Sequence, residues 1–158
     1  MRKNESITDL SIPLRPRHLT ALDLFSSSMV SGKSFKFLPR CLIELNLTSS
    51  ESIFDSDIQH LPRTLKYLYL DCAIHLTDLC IADLPPHLEK LEMRYNSLIT
   101  PSSFPNFPYS LRSLKISNAV SFKRWKTEWG KAMILRNSLS LSLPSNLQTL
   151  LVTSRIQQ

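Results

Sequence analysis

Residues 61–70 read LPRTLKYLYL, and the spacing within this stretch decides the fold. Pro62 is followed by leucines at 65, 68 and 70, which lie three, six and eight positions on. The same frame follows Pro16, Pro39, Pro85 and Pro108, so five prolines stand 23 residues apart. The other copies are LRPRHLTALDL from Leu14, FLPRCLIELNL from Phe37, DLPPHLEKLEM from Asp83 and FPYSLRSLKI from Phe107. A sixth, LPSNLQTLLV, begins at Leu143. Its Pro144 comes 36 residues after Pro108, so this interval holds 13 extra residues. The rest of each unit keeps register too. Val30, Ile53, Leu76, Ile99 and Phe122 form one apolar column, Phe35, Ile58, Ile81 and Phe104 a second, and Leu38, Leu61, Leu84 and Phe107 a third.

Self-similarity at this period identifies a stacked repeat architecture. In a strand, residues two apart share a face. Leu68 and Leu70 therefore point inward with Leu65, while Tyr67, Tyr69 and Asp71 point outward. One unit cannot bury its own leucines. A neighbouring unit can, and each fully buried leucine contributes about 2 kcal/mol. The proline lacks an N–H and suits the turn entering the strand, not the ladder. About thirteen residues remain for the return path, too few for a long helix; 3-10 turns, extended pieces or a single helical turn are expected there.

The frame L-x-x-L-x-L-x-x-N-x-L resembles the leucine-rich repeat, and LEKLEMRYNSL, residues 88–98, matches it with Met93 in the third leucine position. The variant L-P-x-x-L-x-x-L-x-L is similar to the LPX repeats of bacterial effectors and to FNIP repeats, which often follow an F-box. The resemblance covers residues 14–153. It implies a mainly β (or α/β) solenoid: a horseshoe with a parallel sheet of about six short strands on the concave face and short 3-10 or irregular convex segments. The family's buried asparagine, which bonds backbone groups in the turn after the strand, is replaced along its column. Ser27, Ser50, Ala73, Asn96 and Ala119 occupy it, so serine is expected to do part of that work and alanine none.

The whole chain, 1–158, is expected to be one domain. Repeats start near 15, 38, 61, 84 and 107, an insertion covers about 121–136, and the last repeat starts at 143. ITDLSI, residues 7–12, echoes the strand frame and is expected to be an N-terminal capping strand. No clear cap follows LQTLLV, which leaves end-to-end association open there.

Composition narrows the function. The 158 residues are 42% apolar and 20% charged, with net charge +6. Two glycines, Gly32 and Gly130, argue against phosphate-cradling loops. No apolar run approaches the roughly 18 residues of a membrane span, and MRKNESITDLSIPL is not a secretory signal. An intracellular, cytoplasmic protein is expected. Cys41, Cys72 and Cys80 lack metal-site or disulfide spacing. His18 and His87 share a column but lie three repeats apart, and no nucleophile motif occurs. No cofactor, metal or catalytic residue is expected.

Function is expected on the concave face. The outward residues run Ala21, Asp23, Phe25; Glu44, Asn46, Thr48; Tyr67, Tyr69, Asp71; Lys90, Glu92, Arg94; Ser113, Lys115, Ser117; and Thr149, Leu151, Thr153. At the centre, Tyr67, Tyr69, Asp71, Lys90, Glu92 and Arg94 are the candidate partner-binding residues, because tyrosine and arginine are frequent interface anchors. Tyrosine also favours strands and packs against cross-strand neighbours, which is the plainer account. Counted by sign, the face is nearly neutral and does not suit a phosphate backbone. A second candidate is the basic segment 121–136, SFKRWKTEWGKAMILR, with Lys123, Arg124, Trp125, Lys126, Trp129 and Lys131. Its aromatics either fold back over the last core gap, as Phe122 in a core column favours, or form a basic amphipathic helix for an anionic membrane or nucleic acid. The leading expectation is a non-enzymatic module that binds a protein. The FNIP resemblance implies an alternative, the substrate-recognition part of a ubiquitin-ligase adaptor, although no F-box-like helical segment precedes Ile7.

Overall fold

The leucine frame becomes one short strand per unit. The structure, a computed structural model, describes residues 6–117 and 146–152. Strands β1 (Ala21–Asp23), β2 (Glu44–Asn46), β3 (Tyr67–Tyr69), β4 (Lys90–Arg94), β5 (Ser113–Ser117) and β6 (Thr149–Val152) form one sheet in chain order. Every pairing is parallel, and the register aligns the middle leucines: Leu22 with Leu45, Leu68, Leu91, Leu114 and Leu150 in turn. The pairing of Leu114 with Leu150 places all of the extra residues between β5 and β6 without a break in the stack. The candidate segment 121–136 lies outside the described residues.

The inward set is the core. Leu65, Leu68 and Leu70 are fully buried, as are their counterparts Leu42, Leu45 and Leu47 and Leu88, Leu91 and Met93. The convex columns join them through Val30, Ile53, Leu76 and Ile99 and through Phe35, Ile58, Ile81 and Phe104. The prolines sit in the entering turn, where the carbonyls of Pro39, Pro62, Pro85 and Pro108 accept from the N–H groups of Leu42, Leu65, Leu88 and Leu111 at 3.1–3.3 Å. The return path is short, as expected. It holds 3-10 turns at Gly32–Phe37, Asp78–Asp83 and Pro101–Asn106 and one helical turn, α1, at Asp55–Ile58.

The chain leaves each of β1–β4 through a left-handed residue. Ser26, Ser49, Cys72 and Tyr95 have φ of 56°, 62°, 60° and 65°. None is glycine, and a side chain there costs about 1–3 kcal/mol. The ladder accounts for their persistence: the N–H groups of Ser26, Ser49 and Cys72 donate to Thr48, Asp71 and Arg94 carbonyls at 2.7–2.8 Å. In the adjoining column, Asn96 Nδ2 donates to the Leu70 carbonyl at 2.9 Å. The serines do not take over that work, because the Ser27 and Ser50 hydroxyls are buried with no partner among the described residues.

Residues 7–12 do not form the expected strand. Asp9–Ser11 is a 3-10 turn, and Thr8 makes a single bridge to Met29. The segment is in step with the convex halves, 23 residues before Ser31 and Phe35, and not with the strands. Ile12 is buried in the phenylalanine and isoleucine column while Leu10 is exposed, the opposite of a strand's inward leucine.

A clamp on the convex side ties neighbouring units. Asp9 accepts the Ser31 N–H at 2.7 Å and its hydroxyl at 2.6 Å. Asp55 holds Thr77 in the same way at 2.8 and 2.6 Å, and Asp78 holds Thr100 through its N–H at 2.6 Å and its hydroxyl. Each clamp satisfies an orphan donor at the start of the next turn. One unit breaks the pattern, with Gly32 in place of the aspartate and Phe54 in place of the hydroxyl residue. Asp57 folds into the space and accepts the Phe54 N–H at 2.9 Å. A Cβ on Gly32 would lie 1.8 Å from Asp57 Cγ, so glycine is required there for room and not for φ.

Candidate functional site

The outward positions of β1–β5 are side by side on the concave face because the register repeats every unit. Tyr67 and Tyr69 flank the buried Leu68 and are themselves half-buried. Lys90 lies beside them on β4. Its Nζ is 4.7 Å from the Tyr69 ring centre and 3.3 Å from the Tyr69 hydroxyl. A cation over a tyrosine ring gains about 0.5–1 kcal/mol at a site this open and fixes the ring's orientation.

The charged centre is a closed network. Glu92 is only 5% exposed and Asp71 6%. Glu92 Oε1 accepts from Lys115 Nζ at 2.8 Å and lies 3.0 Å from Lys90 Nζ, while Glu92 Oε2 is 3.1 Å from Arg94 Nη2. Arg94 also grips Asp71, with Nη2 2.6 Å and Nε 2.8 Å from Oδ2 and its backbone N–H 2.6 Å from Oδ1. Burial pushes the Glu92 carboxyl up, but the hydrogen bonds from Lys115 and Lys90 outweigh it and hold the group below the ordinary carboxylate range. The hydrogen bond to Asp71 raises the Arg94 guanidinium further. Burial lowers the Lys90 ammonium; the bonds to Glu92 and Tyr69 overcome that and leave it raised. The two carboxylates thus lie under a lattice of three cations. Of the six candidate residues, Tyr67, Tyr69, Lys90 and Arg94 present surface; Asp71 and Glu92 hold the cations in place.

The other end of the face differs. Asp23 and Glu44 form no ion pair with any described residue. They line an open hollow of about 380 Å³ together with Ala21, Leu22, Asn46 and Tyr69. Asp23 Oδ1 and Asn46 Oδ1 accept the N–H groups of Phe25 and Thr48, two residues on, which fixes each side chain against the end of its own strand.

No group of His, Cys, Asp and Glu among the described residues is arranged to hold a metal. The Cys80 thiol is buried and pushed up by its surroundings. Cys41 stands in the column where Thr64 and Ser110 bridge carbonyls of the preceding unit, and its Sγ lies 3.1 Å from the Arg17 carbonyl. No helix among the described residues is long and apolar enough to cross a membrane.

The fold has counterparts among solved structures. The leucine-rich repeat-containing protein LegL7 from Legionella pneumophila superposes with a TM-score of 0.61 at 18% identity, over 91% of this chain and 51% of that one. The fold is that of a leucine-rich repeat horseshoe. A chain in the crystal structure of the yeast Rad7 and Elc1 complex superposes with a TM-score of 0.62, also at 18% identity, over 92% of this chain and 38% of that one. The solenoid therefore spans about half or less of the solved chains it resembles. No family model and no curated protein matches the sequence.

Two features of the face were hidden in the sequence. Counting signs gave near neutrality, but pairing among the described residues leaves Asp23 and Glu44 without cations and covers Asp71 and Glu92. The convex clamp did leave a signal: a hydroxyl residue then aspartate recurs at Thr8-Asp9 and Thr77-Asp78, in step with the period.

Proposed function

We propose that this solenoid is a non-enzymatic, intracellular module that binds a protein partner through its concave sheet. The observation that carries the proposal is the pair Tyr67 and Tyr69, half-buried on the central strand with Lys90 and Arg94 locked beside them by buried carboxylates. Aromatic rings and guanidinium groups held in place lose little entropy when a partner arrives. The test is capture of interacting proteins by the wild type and by the Tyr67→Ala, Tyr69→Ala double variant. A specific partner should be lost from the variant while its thermal stability stays close to wild type; retention at equal yield removes the concave face from the proposal.

A second reading is favoured by one observation, the likeness to a chain found in a two-protein complex, Rad7 with Elc1. Here the array is a fixed subunit of a larger assembly and shows its concave face to a second protein. A substrate-recognition role in ubiquitin transfer, implied by the FNIP resemblance, is its specific form. Co-purification of a stoichiometric subunit that survives the tyrosine double substitution supports this reading.

A further inference from the structure

The concave face is divided electrically across its strands. At β3–β5 the carboxylates Asp71 and Glu92 are buried under Lys90, Arg94 and Lys115, so three cations against two carboxylates leave a small positive excess. At β1–β2 the sign reverses, because Asp23 and Glu44 face the same concavity without an ion-pair partner among the described residues. The boundary between the two halves is the Tyr67–Tyr69 strand.

The acidic half also has a receptacle. The hollow of about 380 Å³ is lined by both carboxylates, by Asn46 and by Tyr69, and it reaches β1, the edge strand of the sheet. Leu22, in that lining, is only partly buried, unlike the fully buried leucines at its position in β2, β3, β4 and β5. The lining therefore combines apolar surface, an aromatic wall and two carboxylates. Lysine and arginine have matching parts: a hydrocarbon stem that packs on apolar surface and a charged head that seeks carboxylates.

We infer that the hollow at β1–β3 receives a basic side chain, lysine or arginine, from an extended segment of the protein partner. This rests on the concave-face function proposed above and specifies its partner chemistry. The cationic half of the face sets the direction of the segment. Its basic residue lies over Asp23 and Glu44, and acidic or neutral residues follow toward Lys90 and Arg94.

The test is a nuclear magnetic resonance titration of the full chain with two blocked pentapeptides, one carrying two arginines between glycines and one carrying two glutamates. The arginine peptide should give saturable shifts concentrated at the backbone amides of Asp23, Glu44, Asn46 and Tyr69, and these should weaken as salt rises from about 50 to about 300 mM. Asp23→Asn with Glu44→Gln should weaken binding by about tenfold or more. The glutamate peptide should leave those amides unmoved. Absence of saturable shifts with the arginine peptide, shifts spread equally over the convex side, or unchanged affinity in the double variant each overturns the inference. If the arginine peptide fails while the tyrosine double variant still loses its protein partner, the concave-face function stands and only this inference falls.

Discussion

Glu92 offers a sharp test of the concave network. Its carboxylate is nearly buried and meets Lys115 at 2.8 Å, Lys90 at 3.0 Å and Arg94 at 3.1 Å. Glu92→Gln keeps the shape and removes the charge, leaving Lys90 and Lys115 without their carboxylate and Arg94 with Asp71 alone. Removing one partner of a fully buried pair costs about 3–5 kcal/mol. The three cations here are about a third exposed and can rehydrate, which reduces the expected loss to about 2 kcal/mol at neutral pH. For a chain of this size that lowers Tm by about 4–8 °C. The pH dependence discriminates further. The folded-state pKa of Glu92 is depressed, so its contribution is complete above the ordinary carboxylate value and is lost as pH falls through the folded value. Urea unfolding of wild type and variant should therefore show a gap at pH 7 that shrinks steadily below about pH 4.5. A gap of the same size at pH 7 and pH 3 would refute the ionic origin, and no gap at pH 7 would refute the network itself.

Other outcomes follow from the same structure. Gly32→Ala alone should cost about 1–3 kcal/mol by overpacking against Asp57, whose Cγ and Cβ lie 1.8 and 2.2 Å from the added Cβ, yet cost little further once Asp57→Gly has removed both atoms; additive losses in a urea double-mutant cycle would contradict the shared space. Ser50→Ala should be neutral or stabilising by up to about 1 kcal/mol, because its hydroxyl is buried without a partner among the described residues. Asn96→Ala should instead destabilise by about 0.5–1.5 kcal/mol by removing the shorter of two hydrogen bonds at the Leu70 carbonyl, which keeps only the Ala73 N–H at 3.3 Å, and equal effects of the two substitutions in thermal unfolding would be inconsistent with their different bonding.

Much of the fold was legible because period and chemistry agreed. The 23-residue spacing of the prolines and leucines specifies the strands, their parallel register and the inward face, and the structure places Leu65, Leu68 and Leu70 accordingly. The misplaced element, residues 7–12, shows where local pattern fails. Ile7, Leu10 and Ile12 imitate the strand frame, but their distance from Ser31 and Phe35 puts them in the convex half of a unit. Repeat phase outweighs local spacing because each segment must stack on its neighbour. The left-handed residues after the strands were illegible for another reason: Ser26, Ser49, Cys72 and Tyr95 are not the glycine or asparagine that announces such a turn. The face itself was only half legible. Side-chain direction follows from alternation, so the outward list was readable. Which charges are spent on one another depends on burial and on distances across strands 23 residues apart, and these place Asp71 and Glu92 beneath the surface.

The most direct test of a partner-binding concave face is site-specific photo-crosslinking. A benzoylphenylalanine is placed either at position 69, on the concave face, or at position 79, where Leu79 is 76% exposed on the convex side. After irradiation in cells, adducts are identified by mass spectrometry. A discrete protein adduct at position 69 that is absent at position 79 is the predicted result. Adducts at position 79 alone, or the same adducts at both positions, would contradict recognition through the concave sheet.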